Sequence, residues 1–419
     1  MRIKETLACA GLSIASLAAM EGISVVSDRP SHIYRVGETA VFKITSPTES
    51  TVSVELSCDG EAVLQTLQVK TPAEVPFALS APGVLRCTAR VSGQPRKMCA
   101  VAFDPEQIQA VLPEPEDFTA FWEQGLADLA EIPADFKMTL REDVSTPEAE
   151  IYELECANVN GTRHYGFLRL PKTTAKLPLL AYVEGAGAGQ NLETFQQHCG
   201  NIRKFMRQPV AALTIGVHAY KPADSAAAHK VQHAEYVRNL GVRSYWLEGL
   251  GKDNRETFLY RAILGGVRMI DEVVKLPAID ASRVAYLGAS QGGGFGLYLT
   301  ALSPHLKAAF CGVPCFGDVG GFLLGRHPTQ SSIPELREHW SQMRYFDTVN
   351  FARRINVPVF ISIGFIDTSC LAASVFPIYN ALNGPKLLFN KVINGHGDAP
   401  IEYEGLTWYW VARHLQLEL

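Results

Sequence analysis

A mostly parallel α/β sheet with helices on both faces, preceded by a small all-β sandwich, is the architecture this sequence predicts. Three observations predict it. From about residue 178 short apolar runs alternate with helical segments, the rhythm of strands buried on both faces. Residues 22–105 read instead as short alternating strands separated by turns. Leu112-Pro-Glu-Pro-Glu116 interrupts one pattern before the other begins, so the chain divides into a leader (1–21), an all-β unit (22–105) and a larger unit (112–419).

Composition sets the outer bounds. With 419 residues, 47% hydrophobic and 19% charged, the chain can build a large core and more than one domain. A net charge of −5 without a Lys/Arg block argues against a nucleic-acid partner. There are no internal repeats and no low-complexity tracts.

The leader begins Met1-Arg-Ile-Lys4 and continues into an uncharged run, Leu7 to Met20, that ends in small residues. This is the layout of a secretory signal, with Glu5 the one discordant charge. The run is too short to span a membrane. Thr6-Leu-Ala-Cys9 resembles a lipoprotein box, but too little apolar sequence precedes it. The expectation is a secreted or periplasmic protein without a membrane span.

In the all-β unit Val52, Val54, Leu56 and Cys58 alternate with Ser53, Glu55 and Ser57 before an Asp59-Gly60 turn. Leu85, Cys87, Ala89 and Val91 alternate with Arg86, Thr88 and Arg90. The unit has about the size of an immunoglobulin-like sandwich. One face of each strand goes to the core and no catalytic constellation is visible, so a structural, binding or assembly role is expected. Cys87 and Cys99 lie symmetrically about Gly93 in a hairpin predicted over Leu85–Val91 and Lys97–Phe103. Facing each other there, they suit either a disulfide in an exported protein or two buried thiols.

The larger unit opens with a helix carrying Phe118, Phe121, Trp122, Leu126 and Leu129 on one face. A hairpin follows, in which Tyr152, Leu154 and Cys156 alternate with Glu153 and Glu155 and Asn160-Gly161 turns into Tyr165–Leu170. Candidate parallel strands are Leu179–Glu184, Val210–Ile215, Arg283–Leu287, Val357–Ile363 and Lys386–Ile393. A long helix with Ile263, Val267, Ile270 and Val274 at helical spacing is expected to start at the Asp253-x-x-Glu256 capping box.

The chemistry gathers on one turn. Arg283-Val-Ala-Tyr-Leu-Gly-Ala-Ser-Gln-Gly-Gly-Gly294 reads as strand, Gly288-x-Ser290-x-Gly292 turn, then helix. Small residues on either side let the chain bend sharply and hold a serine hydroxyl clear of the sheet. Asp367 and His396 follow later strands, where open α/β sheets keep their ligand crevice. The order Ser290, Asp367, His396 is that of the α/β-hydrolase fold. A serine hydroxyl is a weak nucleophile at neutral pH, so a histidine must take its proton and a carboxylate must orient the imidazole. Asp318 and Asp398 are the rival acids.

The oxyanion of an acyl-transfer intermediate needs donors. The N–H of Gln291, next to the nucleophile, is one, and the Glu184-Gly-Ala-Gly-Ala-Gly189 loop supplies a second from Ala186. That loop lacks the Lys and Ser/Thr of a phosphate loop, and no dinucleotide fingerprint sits at a strand–helix junction, so no cofactor is expected. Cys311-x3-Cys315 has no second ligand pair, and His229 and His233 lack the adjacent glutamate of a zinc helix, so no metal is expected either. His218, Tyr220 and Phe316 are candidate pocket residues.

Gly288-Ala-Ser-Gln-Gly-Gly293 resembles the Gly-x-Ser-Gln-Gly-Gly motif of the acetyl xylan esterase/cephalosporin-C deacetylase family, carbohydrate esterase family seven. Val313-Pro314, Tyr345-Phe-Asp-Thr-Val-Asn-Phe-Ala352, Gly364-Phe-Ile-Asp-Thr-Ser-Cys370, Tyr379-Asn380 and Gly384-Pro-Lys386 are similar to its other blocks, and the likeness covers roughly residues 112–419. The resemblance implies an α/β-hydrolase fold, the same triad roles for Ser290, Asp367 and His396, and removal of O-acetyl groups from carbohydrates or similar small esters without a metal.

Three positions depart from that pattern. Val217-His-Ala-Tyr220 stands where the family usually has Arg-Gly-Gln, Gly397 where it has Glu, and Ala186 where it often has Tyr. The triad is untouched by these changes, whereas the family's acyl and alcohol pockets are not carried over. The family's ring-shaped hexamer is not carried over, because the sandwich adds a new surface; a homo-oligomer stays open. The leading expectation is an exported serine esterase acting on acetylated xylan, oligosaccharides or a similar small ester. The alternatives are a serine peptidase of the prolyl-oligopeptidase type, for whose propeller residues 22–105 are too few, and a non-catalytic carbohydrate-binding or surface protein with an inactive hydrolase domain.

Overall fold

The structure, a computed structural model, describes residues 22–187, 189–326 and 333–418. The expected leader lies outside the described residues. A nine-stranded sheet runs in the spatial order Lys386–Lys391, Val359–Gly364, Ala308–Gly312, Ile279–Ala289, Leu177–Tyr182, Ala211–Ile215, Arg163–Pro171, Ala149–Ala157, Lys137–Leu140. From Lys386–Lys391 to Ala211–Ile215 every pairing is parallel, and the last three strands are added antiparallel.

Alternate residues of the central strands go to opposite cores, as the pleat requires. Leu179, Ala181, Val284 and Tyr286 pack with the helices Phe118–Glu131, Phe258–Val273, Gln291–Leu302 and Ala372–Ala381. Leu180, Tyr182, Ala285 and Phe310 pack with Leu192–Phe205 and Ile401–His414 on the other face. Fully burying one such Leu or Phe contributes about 1.5–3 kcal/mol, and the two cores sandwich the sheet up to its C-terminal edge. That edge carries the site.

Two sequence expectations shift here. The strand Ala308–Gly312 was absent from the candidates because Ala-Ala-Phe-Cys-Gly contains no β-branched residue; its burial between two parallel neighbours makes it a strand. The long helix begins at Phe258, capped by Thr257, whose side chain accepts from Tyr260 N–H. Asp253 caps only the 3₁₀ turn Asn254–Glu256 before it.

The all-β unit packs Ser24–Ser27, Ala40–Thr45 and Ala73–Phe77 against a sheet ordered Ile33–Tyr34, Lys97–Phe103, Gly83–Arg90, Thr51–Cys58, Val63–Lys70. Val52, Val54, Leu56, Leu85, Cys87 and Val101 fill the space between. Cys87 and Cys99 are directly paired across the hairpin as free thiols, and burial pushes each up to about 12. The opposite face of this hairpin is not solvated. Every residue from Gly83 to Ala89 is buried, and Val84, Ala100 and Ala102 belong to the core of the larger unit.

Candidate active site

Between the strand Ile279–Ala289 and the helix Gln291–Leu302, Ser290 adopts φ 59°, ψ −121°. A non-glycine residue holds this conformation only where its surroundings force it. They do: Ser290 N–H donates to Gly312 O at 2.9 Å, and Ser290 O accepts from Gly294 N–H at 3.0 Å and Cys315 N–H at 3.2 Å. The glycines allow the close approach, since a Cβ on Gly292 would lie 2.1 Å from Val183 O.

Ser290 Oγ lies 2.9 Å from His396 Nε2, and His396 Nδ1 lies 2.8 Å from Asp367 Oδ2. Asp367 is fully buried, and its other oxygen, Oδ1, accepts from Ser369 N–H (2.7 Å) and Cys370 N–H (2.9 Å). Those donors stabilise the carboxylate and leave Oδ2 for the imidazole. The loop bearing His396 is shaped by Lys391, whose Nζ donates to Gly395 O (3.2 Å) and Asp398 O (3.0 Å) while burial lowers its pKa. Of the rival acids, Asp318 is engaged elsewhere, its Oδ1 accepting from Val111 N–H at 2.7 Å, and Asp398 is exposed while His396 Nδ1 is taken by Asp367. Such an arrangement can pass the hydroxyl proton to imidazole and stabilise the imidazolium.

Gln291 does more with its side chain than the sequence reading foresaw. Its Nε2 donates to Glu184 O at 3.1 Å, and Tyr245 OH donates to its Oε1 at 2.6 Å. The Gly-rich loop is thereby tied to the elbow, with Gly185 beside it: a Cβ there would lie 4.0 Å from Ser290 Cβ. Ala186 follows in an exposed turn. A cavity of about 580 Å³ opens beside Gln291, lined among others by Glu184, Gly185, His218, His229, His233 and Tyr245.

His218 lines this cavity, and Tyr220 stands behind it, stacked ring on ring at 4.9 Å with its hydroxyl 3.1 Å from His233 Nδ1. Phe316 does not line this cavity. It is buried against Trp246 (4.9 Å) and Tyr298, because the chain after Cys315 turns into the core at φ 64°. The sequence reading missed His229, His233 and Tyr245. The spacing of the two histidines on one face of the helix Ala226–Asn239 was the available signal, but only the fold turns that face to His218, with ring centroids 6.3 and 4.9 Å away. The Nδ1 atoms of His218 and His229 are buried and meet no protein partner among the described residues. Burial, and then the nearby His233, lowers the pKa of both.

Two thiols flank Ser290: Cys315 Sγ lies 3.7 Å from Ser290 Oγ and 3.2 Å from Cys370 Sγ. Among the described residues no group of three or more His, Cys, Asp or Glu is placed to hold a metal ion, and no helix is long and apolar enough to cross a membrane.

The model of the acetyl xylan esterase (AXE1) family matches residues 106–408. The chain belongs to that family. It is accordingly a carboxylic ester hydrolase of the α/β-hydrolase fold. It is 28% identical over 334 residues to the acetyl esterase Axe7A of Xylanibacter ruminicola, covering 78% of this chain and 74% of that one. Acetyl xylan esterase 1 of Thermoanaerobacterium sp. superposes with a TM-score of 0.62 at 20% identity, over 74% of this chain and 97% of its own. The acetyl xylan esterase of Paenibacillus sp. R4 gives 0.59 at 22%, over 74% and 98%.

Proposed function

We propose that the chain removes O-acetyl groups from carbohydrates, such as acetylated xylan or its oligosaccharides, or from similar small esters, through an acyl-enzyme on Ser290. The observation that carries this reading is the unbroken relay from buried Asp367 through His396 to Ser290 Oγ. Ser290 attacks the acetyl carbonyl as His396 Nε2 takes its proton, and Asp367 steadies the imidazolium through Nδ1–H. The tetrahedral oxyanion is received by the N–H groups of Gln291 and Ala186. Collapse expels the sugar alkoxide, which leaves with the proton from His396. Water, deprotonated by the same imidazole, then releases acetate.

The cavity beside Gln291 receives part of the ester, its histidines and Tyr245 offering polar and aromatic surface to a sugar ring. An exported location rests on the pattern of residues 1–21 alone. The test is acetate release from acetylated xylo-oligosaccharides and from a chromogenic acetyl ester. Wild type should release acetate from both and Ser290→Ala from neither. Undiminished turnover in that variant would sink the mechanism, and peptide or long-acyl turnover without acetate release would sink the substrate class.

A further inference from the structure

The loop that carries Asp367 joins the strand Val359–Gly364 to the helix Ala372–Ala381, and two charged side chains from the all-β unit hold it. Arg86 is 3% exposed and Asp59 0%. Arg86 Nε donates to Asp59 Oδ1 at 3.0 Å, and Nη2 closes the pair. Nη2 also donates to the backbone carbonyls of Asp367 (2.6 Å) and Phe365 (3.5 Å). Asp59 Oδ2 accepts from Ala373 N–H at 2.8 Å. The helix Ala372–Ala381 has Leu371 at its N-cap and no side-chain cap of its own, so Asp59 satisfies one of its orphan donors from outside and complements its dipole. His32 adds an edge contact to Phe365 at 6.3 Å.

We infer that Arg86 and Asp59 are positioning residues for the catalytic acid, fixing the backbone on both sides of Asp367 from outside the hydrolase sheet. This rests on the acyl-enzyme reading above. Stability alone does not account for the pair. A buried Arg–Asp pair roughly balances its own desolvation, and apolar residues of similar size often do as well. What apolar residues cannot do is bond the Asp367 carbonyl. With it unbonded, the loop is free to rotate the carboxylate away from His396 Nδ1, and displacements of about 1 Å at a reacting group can cost on the order of a hundredfold in rate.

The test compares wild type, Arg86→Met and the double variant Asp59→Leu/Arg86→Met, which leaves no charge buried alone. Arg337→Gln is the control, since it breaks a 2.9 Å bridge to Glu61 between the same two units without touching the acid loop. On a chromogenic acetyl ester the Arg86 variants should lose about ten- to a hundredfold in kcat, with KM within about twofold. The proton resonance of the His396–Asp367 hydrogen bond should shift in both, and Arg337→Gln should match wild type in every respect. A folded double variant with wild-type kcat and an unmoved resonance overturns the inference. Should neither Met-bearing variant fold, Arg86→Lys keeps the charge but loses the fork; lowered kcat at constant KM supports the inference, and unchanged kcat overturns it. A wild type without Ser290-dependent turnover defeats the acyl-enzyme reading and this inference together, whereas a Ser290-dependent wild type with a fully active double variant defeats this inference alone.

Discussion

Ser290 lies between two regions built on opposite terms. On the acid side each hydrogen-bonding group meets a protein group: Asp367 Oδ1 has two backbone donors, Oδ2 has His396, and its carbonyl has Arg86. On the cavity side the Nδ1 atoms of His218 and His229 are buried without a protein partner among the described residues, beside an open space of about 580 Å³. A buried polar atom left unbonded costs about 1–3 kcal/mol, so the cavity side holds binding potential that a polar ligand can realise. The acid side has none to spare, which keeps the relay in one geometry. Hydrogen bonding is complete within the protein on the acid side and left to be completed on the cavity side.

The contrast can be broken most severely on the acid side. Ser290→Ala should lower kcat by about 10⁴–10⁶-fold, and Asp367→Asn, which favours the wrong imidazole tautomer, by about 10⁴-fold with little change in KM; steady-state kinetics on an acetyl ester would show both. Tyr245→Phe tests the tie between the sides. Losing its 2.6 Å bond to Gln291 Oε1 loosens the Gln291–Glu184 link and should cost about three- to tenfold in kcat, with Ser290 still labelled by a fluorophosphonate.

On the cavity side His218→Phe should raise KM for acetylated oligosaccharides by about five- to tenfold and leave kcat within about threefold, the mark of lost ground-state binding. An equal fall in kcat would move His218 into the reacting machinery.

The smallest effect is one of pH. Burial, and then the nearby His233, Arg261 and His229, hold the pKa of His218 well below 6.5. Below pH 6.5 the unfolded chain binds a proton there that the folded chain refuses, so stability falls as pH drops; above it the contribution is flat. His218→Phe should flatten part of that decline below pH 6.5, read from urea midpoints of both proteins.

The elbow was legible in sequence because its requirements are local. Gly288, Gly292 and Gly293 must lack side chains within a few residues of a serine, and that leaves a pattern in the string. Asp367 and His396 were legible because parallel strands deliver the residues that follow them to one edge, so chain order alone gathers them. His229 and His233 were only half legible: their helix face is written in the spacing, but not what it faces. Phe316 was misplaced because nothing local reveals that the chain turns inward after Cys315.

By itself, then, the sequence determined the strand rhythm, the turn that exposes Ser290 and the order of its partners, all consequences of periodicity and backbone sterics within short spans. Tertiary structure alone decided what holds the acid. Alternation on the strand Gly83–Arg90 says that Arg86 points away from Leu85 and Cys87; it cannot say that a second unit covers that face and sets Arg86 2.6 Å from the carbonyl of Asp367, 281 residues along the chain. A side chain's direction is fixed by its neighbours in sequence, but its partner is fixed by whichever surface packs against it.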